Sequence, residues 1–324
     1  MSRASTWSLA YVQYRREGDA LGDGHGGEVG AAQVVWLLAL GLIWGSSYLF
    51  IKLLVDAASP SVMIAVRLAL GLLTLGGVLL ARRERLPPWG RPWGLLLVMS
   101  VAGNVVPFTL ITWAEQHVTS ALAAVLSATT PLFTLLVSAL VFRHDRLSGA
   151  RLAGLGIGFA GVVLLTGRSV LDVGSSDAAG TLALLASSAC YGFSFAFARQ
   201  YIRGNPVSNV TAQLAMSLAI MAPFALFGGW VEPAELGAAN VAGWVVLGAL
   251  GTGVAYLFYY ALIRAIGATP ASLVTYIIPP VGLLLGWLVL GEDLGINGIA
   301  GMALIVAGVA VAYGWHRRLL PRAA

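Results

Sequence analysis

Arg67 lies inside a long apolar stretch that begins at Pro60. An arginine near the centre of a membrane-spanning helix costs roughly 2.5–3.5 kcal/mol on insertion scales, so it should face the interior of a helix bundle or water. A guanidinium held in that position could bind the carboxylate of a substrate. A structural arginine that bonds helix carbonyls or extends toward the interface would explain the residue equally well.

Two related strings combine aromatic rings with small and hydroxyl-bearing residues: IWGSSYLFIK at 43–52 and CYGFSFAFAR at 190–199. Tyrosine and tryptophan offer an apolar face with a polar tip, and glycine lets a ligand or another helix approach the backbone closely. We predict that the members lining a substrate cavity are Trp44, Ser46, Tyr48, Tyr191 and Ser194. Tight helix crossing, with rings that only pack, is the alternative.

Other polar and aromatic residues also fall within apolar runs, where they could contact a substrate. These candidates are Asn104, Trp113, Ser127, Gln213, Tyr256, Tyr260 and Tyr276. Tyr256 and Tyr260 are four residues apart and share a helix face, which assigns Tyr259 to lipid. An interfacial aromatic belt is the alternative. Pro131 and Pro279 each remove a helical hydrogen bond and could be hinges or static kinks.

Titratable groups that could bind a proton are scarce in the apolar runs. Glu115, at the end of the third run, is the best candidate, and His117 is a second. Either residue could instead be a solvated loop residue. An ion-coupled transporter needs an intramembrane titratable group, whereas a facilitator needs none, so the sequence leaves coupling by protons open.

Signatures of enzymes and metal sites are missing from the sequence. Cys190 is the only cysteine, which excludes a disulfide framework and a thiolate metal site. Gly156, Gly158 and Gly161 match a dinucleotide-binding spacing, but they lie in an apolar run without the strand that this motif requires. We predict that they serve close helix packing, and that the protein is not an enzyme and needs no cofactor.

The composition indicates that the solvent of most of the chain is lipid. Hydrophobic residues make up 58% and charged residues 10% of the 324 residues, against about 25% charged in soluble domains. Ten apolar runs approach the roughly 20 residues of a membrane-spanning helix. We place these spans at 33–54, 60–80, 93–113, 119–141, 150–166, 180–200, 206–228, 241–263, 270–290 and 297–315.

The second half of the chain repeats the first at an offset of 146 to 148 residues. Trp44 corresponds to Tyr191, Arg67 to Gln213 and Pro131 to Pro279. A unit of five spans ends on the opposite side of the membrane, so the second copy must be inverted. We predict an all-α membrane protein with repeats at 32–166 and 180–315, a linker at 167–179, a disordered tail at 1–31 and a C-terminal tail at 316–324.

The basic residues predict the orientation in the membrane. Sixteen of the 19 lysines and arginines fall in alternate loops, and the positive-inside rule assigns these loops, with both termini, to the cytoplasm. The net charge of +5 therefore reflects orientation in the inner membrane and not nucleic-acid binding.

These features resemble the EamA-type branch of the drug/metabolite transporter superfamily over roughly residues 33–315. The resemblance is carried by Trp44-Gly45-Ser46, Arg67, SALAAVLSATTPLFTLL at 120–136, ATPASLVTYIIPPV at 268–281 and LGWLVLGEDL at 285–294. The first copy departs from the family pattern, because Arg143-His144-Asp145-Arg146 stands where Gly291-Glu292-Asp293 stands in the second. We expect this departure to affect the loop and not transport.

The resemblance implies a secondary transporter that works by alternating access. Spans 1, 3, 4, 6, 8 and 9 would line its cavity with help from 2 and 7, and spans 5 and 10 would be peripheral. The implied cargo is an amino acid, a similar metabolite or an amphipathic drug, which the protein would export. A facilitator without ion coupling and a non-transporting receptor or assembly subunit are the alternatives. The expected partners are this small molecule and the bilayer, and the chain could be a monomer or a homodimer.

Overall fold

The computed structural model describes residues 31–143, 147–166, 176–232, 237–266, 274–293 and 295–312. Over these residues the chain folds into ten successive helices joined by short connections. The all-helical membrane fold predicted from the sequence is therefore confirmed. The predicted tails lie outside the described residues, except for Ala31. Most of the predicted linker does too, and its last four residues begin the sixth helix.

Nine of the described helices are at least 18 residues long and apolar enough to cross a membrane, and the remaining one is 17 residues long over its described part. The ten helices are α1 (Ala31–Leu54), α2 (Pro60–Ala81), α3 (Arg91–Ala114), α4 (Ser120–Leu140), α5 (Gly149–Thr166), α6 (Ser176–Tyr201), α7 (Pro206–Gly228), α8 (consecutive pieces Ala238–Val245, Val246–Val254 and Ala255–Ile266), α9 (Val274–Leu290) and α10 (Gly295–Ala312).

Helix starts follow local signals that recur in the two copies. Pro60 and Pro206 begin α2 and α7, where the missing N–H of proline removes no helical hydrogen bond. The Asn205 side chain accepts hydrogen bonds from the backbone N–H groups of Val207 and Ser208 at 2.9 and 3.3 Å, which caps α7. These signals fix equivalent entry points for two helices that carry candidate site residues.

The helix contacts repeat the duplication and interlock the two copies. Helix α1 packs against α9 as α6 packs against α4, and α2 packs against α8 as α7 packs against α3. Helices α2 and α7, α4 and α9, and α5 and α10 also pack across the boundary between the copies. This pattern is that of two inverted repeats around an axis in the membrane plane, which places the centre of the molecule between the copies.

Glycines bring α5 and α10 into backbone contact. A methyl group added to Gly154 would lie 2.5 Å from the Gly308 carbonyl oxygen, and one added to Gly161 would lie 2.7 Å from the Gly301 carbonyl oxygen. Small residues allow this close approach in membranes, where van der Waals packing replaces the hydrophobic effect between helices. Of the three glycines with dinucleotide-like spacing, Gly158 and Gly161 serve helix packing as predicted, whereas nothing lies within 4 Å of a methyl group added to Gly156.

Two helices contain π-helical segments that the sequence did not predict. They span Val101–Val105 in α3 and Val246–Val254 in α8, which are equivalent helices of the two copies. The Thr252 hydroxyl donates to the Leu247 carbonyl five residues earlier, at 3.2 Å. Such segments in α-helices are frequently found at functional sites.

Helix α4 is interrupted and α9 is not, although each contains a proline from the repeated motif. Helix α4 consists of Ser120–Ser127 and Thr130–Leu140, with Pro131 in the first turn of the second piece. Helix α9 is continuous through Pro279 and Pro280. Pro131 thus begins a helical piece, where its missing N–H is tolerated, whereas Pro279 lies inside a helix. The hinge role of both residues stays a prediction.

Candidate substrate-binding site

Arg67 projects from the middle of α2 toward α3 and α8. Its Nε donates to the Thr252 hydroxyl at 3.1 Å, and its guanidinium carbon lies 4.1 Å from the centre of the Phe108 ring. The side chain is half-buried. Among the described side chains, Thr252 is its hydrogen-bond partner and no carboxylate lies within ion-pair distance. Most of the five N–H donors of the guanidinium are therefore available to a ligand.

Tyrosine side chains from three helices lie near Arg67. The hydroxyl groups of Tyr48, Tyr191 and Tyr256 all lie within electrostatic range of the guanidinium. The Trp44 ring meets Tyr256 edge-on with centroids 6.5 Å apart, and its Nε1 donates to the Gly251 carbonyl at 3.2 Å. Because Gly251 belongs to the π-helical segment of α8, this segment helps to fix the orientation of the tryptophan.

A small cavity of about 10 Å³ lies next to the interruption of α4, and a space of this size holds one water molecule. Its polar lining consists of Tyr48, Ser127, Ser187, Ser188 and Tyr191. The Leu126 carbonyl at the interruption accepts from Thr129 Oγ1 at 2.7 Å and from Ser188 Oγ at 3.3 Å. The irregular backbone is thus satisfied inside the protein, as membrane burial requires.

Asn104, Gln213 and Ser194 form a second polar group, at the α3–α7 crossing. Asn104 Nδ2 donates to the Ser217 hydroxyl at 3.0 Å, and Gln213 Nε2 donates to the Met99 carbonyl at 3.2 Å. Both side chains are buried. Ser194 adjoins this group, because a methyl group added to Gly103 would lie 3.3 Å from both Ser194 Oγ and Gln213 Nε2. Asn104 and Gln213 thus bond across α3 and α7 and do not bond Arg67.

Three of the four other candidates make their described contacts outside both groups. Trp113 is 38% exposed and meets the His117 ring at 4.6 Å. Ser46 donates to the Ile43 carbonyl of its own helix at 3.0 Å. Tyr276 packs against the apolar cluster around Leu132 and Leu155. The side chain of Tyr260 lies outside the described part of the chain.

The assignment of Tyr259 to lipid was wrong. Its ring lies 5.4 Å from that of Trp44, close to Tyr256. Tyr256 and Tyr259 are three residues apart, a spacing that shares a helix face as well as a spacing of four does. Thr252 and Phe108 hold Arg67 but were not among the candidates. The repeat offset could have pointed to Thr252, because it matches Asn104 at 148 residues.

Glu115 is fully buried at the C-terminal end of α3, so a solvated loop residue does not describe it. Neither of its carboxylate oxygens has a hydrogen-bond partner among the described residues. Lys52 Nζ donates to the backbone carbonyls of Glu115 and Val118, at 2.6 and 2.9 Å. Burial raises the pKa of the Glu115 carboxyl well above its usual range; the nearby Lys52 opposes this shift and Glu292 adds to it.

Comparison with known proteins defines the class to which this bundle and its charged centre belong. The EamA-like transporter family matches residues 32–167 and 178–314, one match in each repeat. The chain belongs to this family, within the drug/metabolite transporter superfamily. It is thus a multi-pass inner-membrane protein with the fold of a transporter.

Relatives in several bacteria share nearly the whole chain. The uncharacterized inner membrane transporter YedA of Escherichia coli (strain K12) is 33% identical over 291 residues, which are 86% of this chain and 90% of YedA. A probable terminal-alkyne amino-acid exporter of Streptantibioticus cattleyicolor is 28% identical, over 90% and 96% of the two chains. One crystal structure shares the fold with a TM-score of 0.64 at 22% identity, covering 90% of this chain and 99% of that one.

Proposed function

We propose that the protein exports a small amphipathic carboxylate, such as an amino acid or a similar metabolite, by alternating access. The observation that carries this proposal is the guanidinium of Arg67, which lies inside the bundle and has no carboxylate beside it among the described side chains. A cation at this depth is costly and usually functional in membrane proteins. A substrate carboxylate would supply the missing counter-charge.

The surroundings of Arg67 support this cargo. Its Nε is occupied by Thr252, which leaves the planar end of the fork for a carboxylate. Trp44, Tyr191 and Tyr256 offer apolar faces with polar tips for the remainder of a small molecule. The proposed binding residues are therefore Arg67 for the anion and the aromatic side chains for the apolar part.

The proposed direction is export, with both termini in the cytoplasm. The distribution of lysine and arginine supports this orientation, and the end of the bundle that holds Lys52, hereafter the Lys52 end, would then face outward. Export is supported by the S. cattleyicolor relative, whose name describes an amino-acid exporter. The interlocked inverted copies support a rocking motion about a central site.

Flux into and out of proteoliposomes tests the proposal with matched pairs of substrates. Each metabolite of a panel is offered as the free carboxylate and as its primary amide, with and without an imposed proton gradient. We expect transport of the carboxylate only, and a loss of at least about thirtyfold in Arg67→Ala, because removing one partner of a buried charge pair costs about 2–5 kcal/mol. The exposed Arg82→Ala is the control.

The outcomes separate the alternatives. Equal transport of carboxylate and amide, or unchanged transport in Arg67→Ala, would contradict the role of Arg67. Flux that does not respond to a proton gradient identifies a facilitator. Stabilisation of the purified protein by a carboxylate without any flux identifies a receptor or assembly subunit.

A further inference from the structure

Three links between helices close the Lys52 end of the bundle. Lys52 of α1 bonds the α3–α4 turn. The α1–α2 loop pairs with the segment after α7, through Ser59 N to Trp230 O at 3.0 Å and Glu232 N to Ala57 O at 2.9 Å. Glu292, in the loop after α9, bonds the first residues of α4. The second and third links join the two repeats, which a rocking motion would separate at this end.

The Glu292 link combines three hydrogen bonds with a negative charge at a helix N-terminus. One carboxylate oxygen accepts from Ser120 N at 2.9 Å, and the other accepts from Ser120 Oγ at 2.8 Å and from Ala121 N at 2.9 Å. Hydrogen bonds to an ionised carboxylate are short and strong, and the N-terminus of a helix favours negative charge. Glu292 thereby ties the second repeat to the interrupted helix α4 of the first. We call this set of bonds the Glu292 lock.

Glu115 lies at the same end of the bundle, but its carboxylate differs from that of Glu292 in accepting no hydrogen bond from the described residues. It is fully buried and both of its carboxylate oxygens lack partners among the described residues. Lys52, whose charge acts on Glu115 more strongly than that of Arg67, donates its hydrogen bonds to backbone carbonyls. An ionised carboxylate buried without hydrogen bonds is strongly unfavourable, so the closed end accommodates Glu115 in its neutral, protonated form.

Charged groups reach Glu115 from several elements. Lys52 of α1 and Arg67 of α2 favour its ionisation, and Glu292 from the loop after α9 opposes it. His117 lies two residues further along the same turn and stacks on Trp113. Helix α6 approaches this turn through Gly180, and the exposed Asp177 is the nearest charged residue in that part of its sequence. Burial outweighs the two cations while the end is closed.

We propose that Glu115 is a proton-binding site that controls the Glu292 lock, so that loss of its proton opens the Lys52 end. A carboxylate at Glu115 would lie within electrostatic range of Glu292 and have no bonds in the closed end. The proton therefore leaves to the water that enters as α4 separates from the loop after α9. This proposal deepens the proposed function, on which it rests for the direction of opening, and names the proton as the coupling ion.

The sign of the pH dependence follows from the difference between the two states. The closed end raises the pKa of Glu115, whereas the hydrated open end restores its ordinary value of about 4.3. The closed end therefore binds more protons between these two pKa values, and closing is fully favoured below the lower one. As the pH rises from the lower value through the raised one, the closed end progressively loses stability. A substrate-loaded, deprotonated exporter would accordingly open outward.

The first test detects the proton itself, in full-length protein in lipid nanodiscs without substrate. Infrared difference spectra are recorded between about pH 5, which lies above the ordinary glutamate pKa of about 4.3, and about pH 9, which reaches a strongly raised one of about 8–9. We expect a protonated carboxyl band that persists at neutral pH, disappears on further alkalinisation and is missing in Glu115→Gln. Absence of this band from the wild-type protein at neutral pH would overturn the proposal.

The second test follows the lock by hydrogen–deuterium exchange of the peptide that covers Ser120–Ser127, corrected for intrinsic exchange rates. In the wild-type protein we expect exchange to accelerate about tenfold or more over the same pH range, as loss of one charge-assisted hydrogen bond would produce. Glu115→Gln, which mimics the protonated form, should stay slow at every pH. Glu292→Gln should be fast at every pH, and the exposed Glu232→Gln should behave as the wild type.

A wild-type pH response that survives in Glu115→Gln would contradict the role of Glu115, and slow exchange in Glu292→Gln would contradict the lock. Both tests use no substrate. They can therefore fail while carboxylate flux through Arg67 is intact, and carboxylate flux can fail while both tests succeed.

Discussion

The two copies of the repeat build the same helix crossing and put different chemistry into it. Where α2 crosses α8, a methyl group on Gly71 would lie 2.8 Å from Thr252 Cγ2, and Thr252 bonds the guanidinium of Arg67. Where α7 crosses α3, Ser217 takes the place of Gly71 and Asn104 the place of Thr252, and these two side chains bond each other. Gln213 stands in the place of Arg67 and donates to a backbone carbonyl.

This difference shows how an inverted repeat can acquire one charged centre. The neutral crossing at α7 and α3 uses its polar groups on each other, which stabilises the contact between helices. At the α2–α8 crossing, Gly71 stands where α7 has Ser217. Thr252 therefore meets no hydroxyl from Gly71 and accepts from Arg67 instead. Three differences, two between α2 and α7 and one between α8 and α3, thus separate a structural crossing from a candidate anion site.

The largest expected effect comes from making the two crossings alike. Arg67→Gln gives α2 the side chain that α7 carries, and the neutral amide cannot neutralise a carboxylate. We expect the affinity for the best carboxylate ligand to fall at least about thirtyfold. Thermal unfolding with increasing ligand measures this loss. Arg82→Gln is the matched control. An unchanged affinity in Arg67→Gln would show that the α2–α8 crossing does not differ from the α7–α3 crossing in binding an anion.

A second large effect is expected where the copies meet through α5 and α10. Gly161→Val would drive a side chain into the Gly301 backbone, 2.7 Å away, so the helices must separate. We expect destabilisation of about 1–3 kcal/mol or more, the usual range for overpacking. Gly156→Val is the matched control, because nothing lies within 4 Å of a methyl group at Gly156. Equal melting temperatures of the two variants would contradict the backbone contact.

Much of the architecture followed from the sequence, for a physical reason. A bilayer demands about 20 apolar residues per span and an internal partner for each backbone group, so hydropathy fixes the number and kind of elements. The π-helical segments could not be predicted, because the sequence gives no periodicity for a local change in hydrogen bonding. The segment in α8 nevertheless contains Gly251 and Thr252, which orient Trp44 and Arg67.

The residues that accompany Arg67 in the candidate site were harder to predict than Arg67 itself. Arg67 stood out because charge is rare in an apolar helix. Asn104 and Gln213 are also polar residues in apolar helices, but they bond across α3 and α7. Which neighbour a helix face meets is decided by packing between distant segments, and spacing along one helix does not contain this information.

A paired substitution at the two crossings gives a moderate effect that sharpens the comparison. Thr252→Val keeps the volume but removes the hydroxyl that holds Arg67, so carboxylate affinity should fall by about tenfold, as expected for a bond to a charged group. Asn104→Leu removes the buried donor to the Ser217 hydroxyl, which still donates to the Gln213 carbonyl, and should lower the stability by about 1–3 kcal/mol. Thermal unfolding with and without ligand separates these readouts. A loss of affinity in Asn104→Leu equal to that in Thr252→Val would show that both crossings bind the substrate.

The smallest expected effect is at Trp113, which the sequence suggested for the cavity. Its ring is 38% exposed and contacts His117, whereas Trp44 donates to Gly251 and meets Tyr256. Trp113→Phe should change stability by less than about 0.5 kcal/mol and leave carboxylate affinity as it is. Trp44→Phe removes the indole N–H from the carbonyl of the buried Gly251 and should weaken affinity several-fold, because the ring then loses the bond that fixes its orientation against Tyr256. Ligand titrations followed by the tryptophan fluorescence of the purified variants compare the two. A larger loss in Trp113→Phe than in Trp44→Phe would place the substrate near the end of α3 instead of at Arg67.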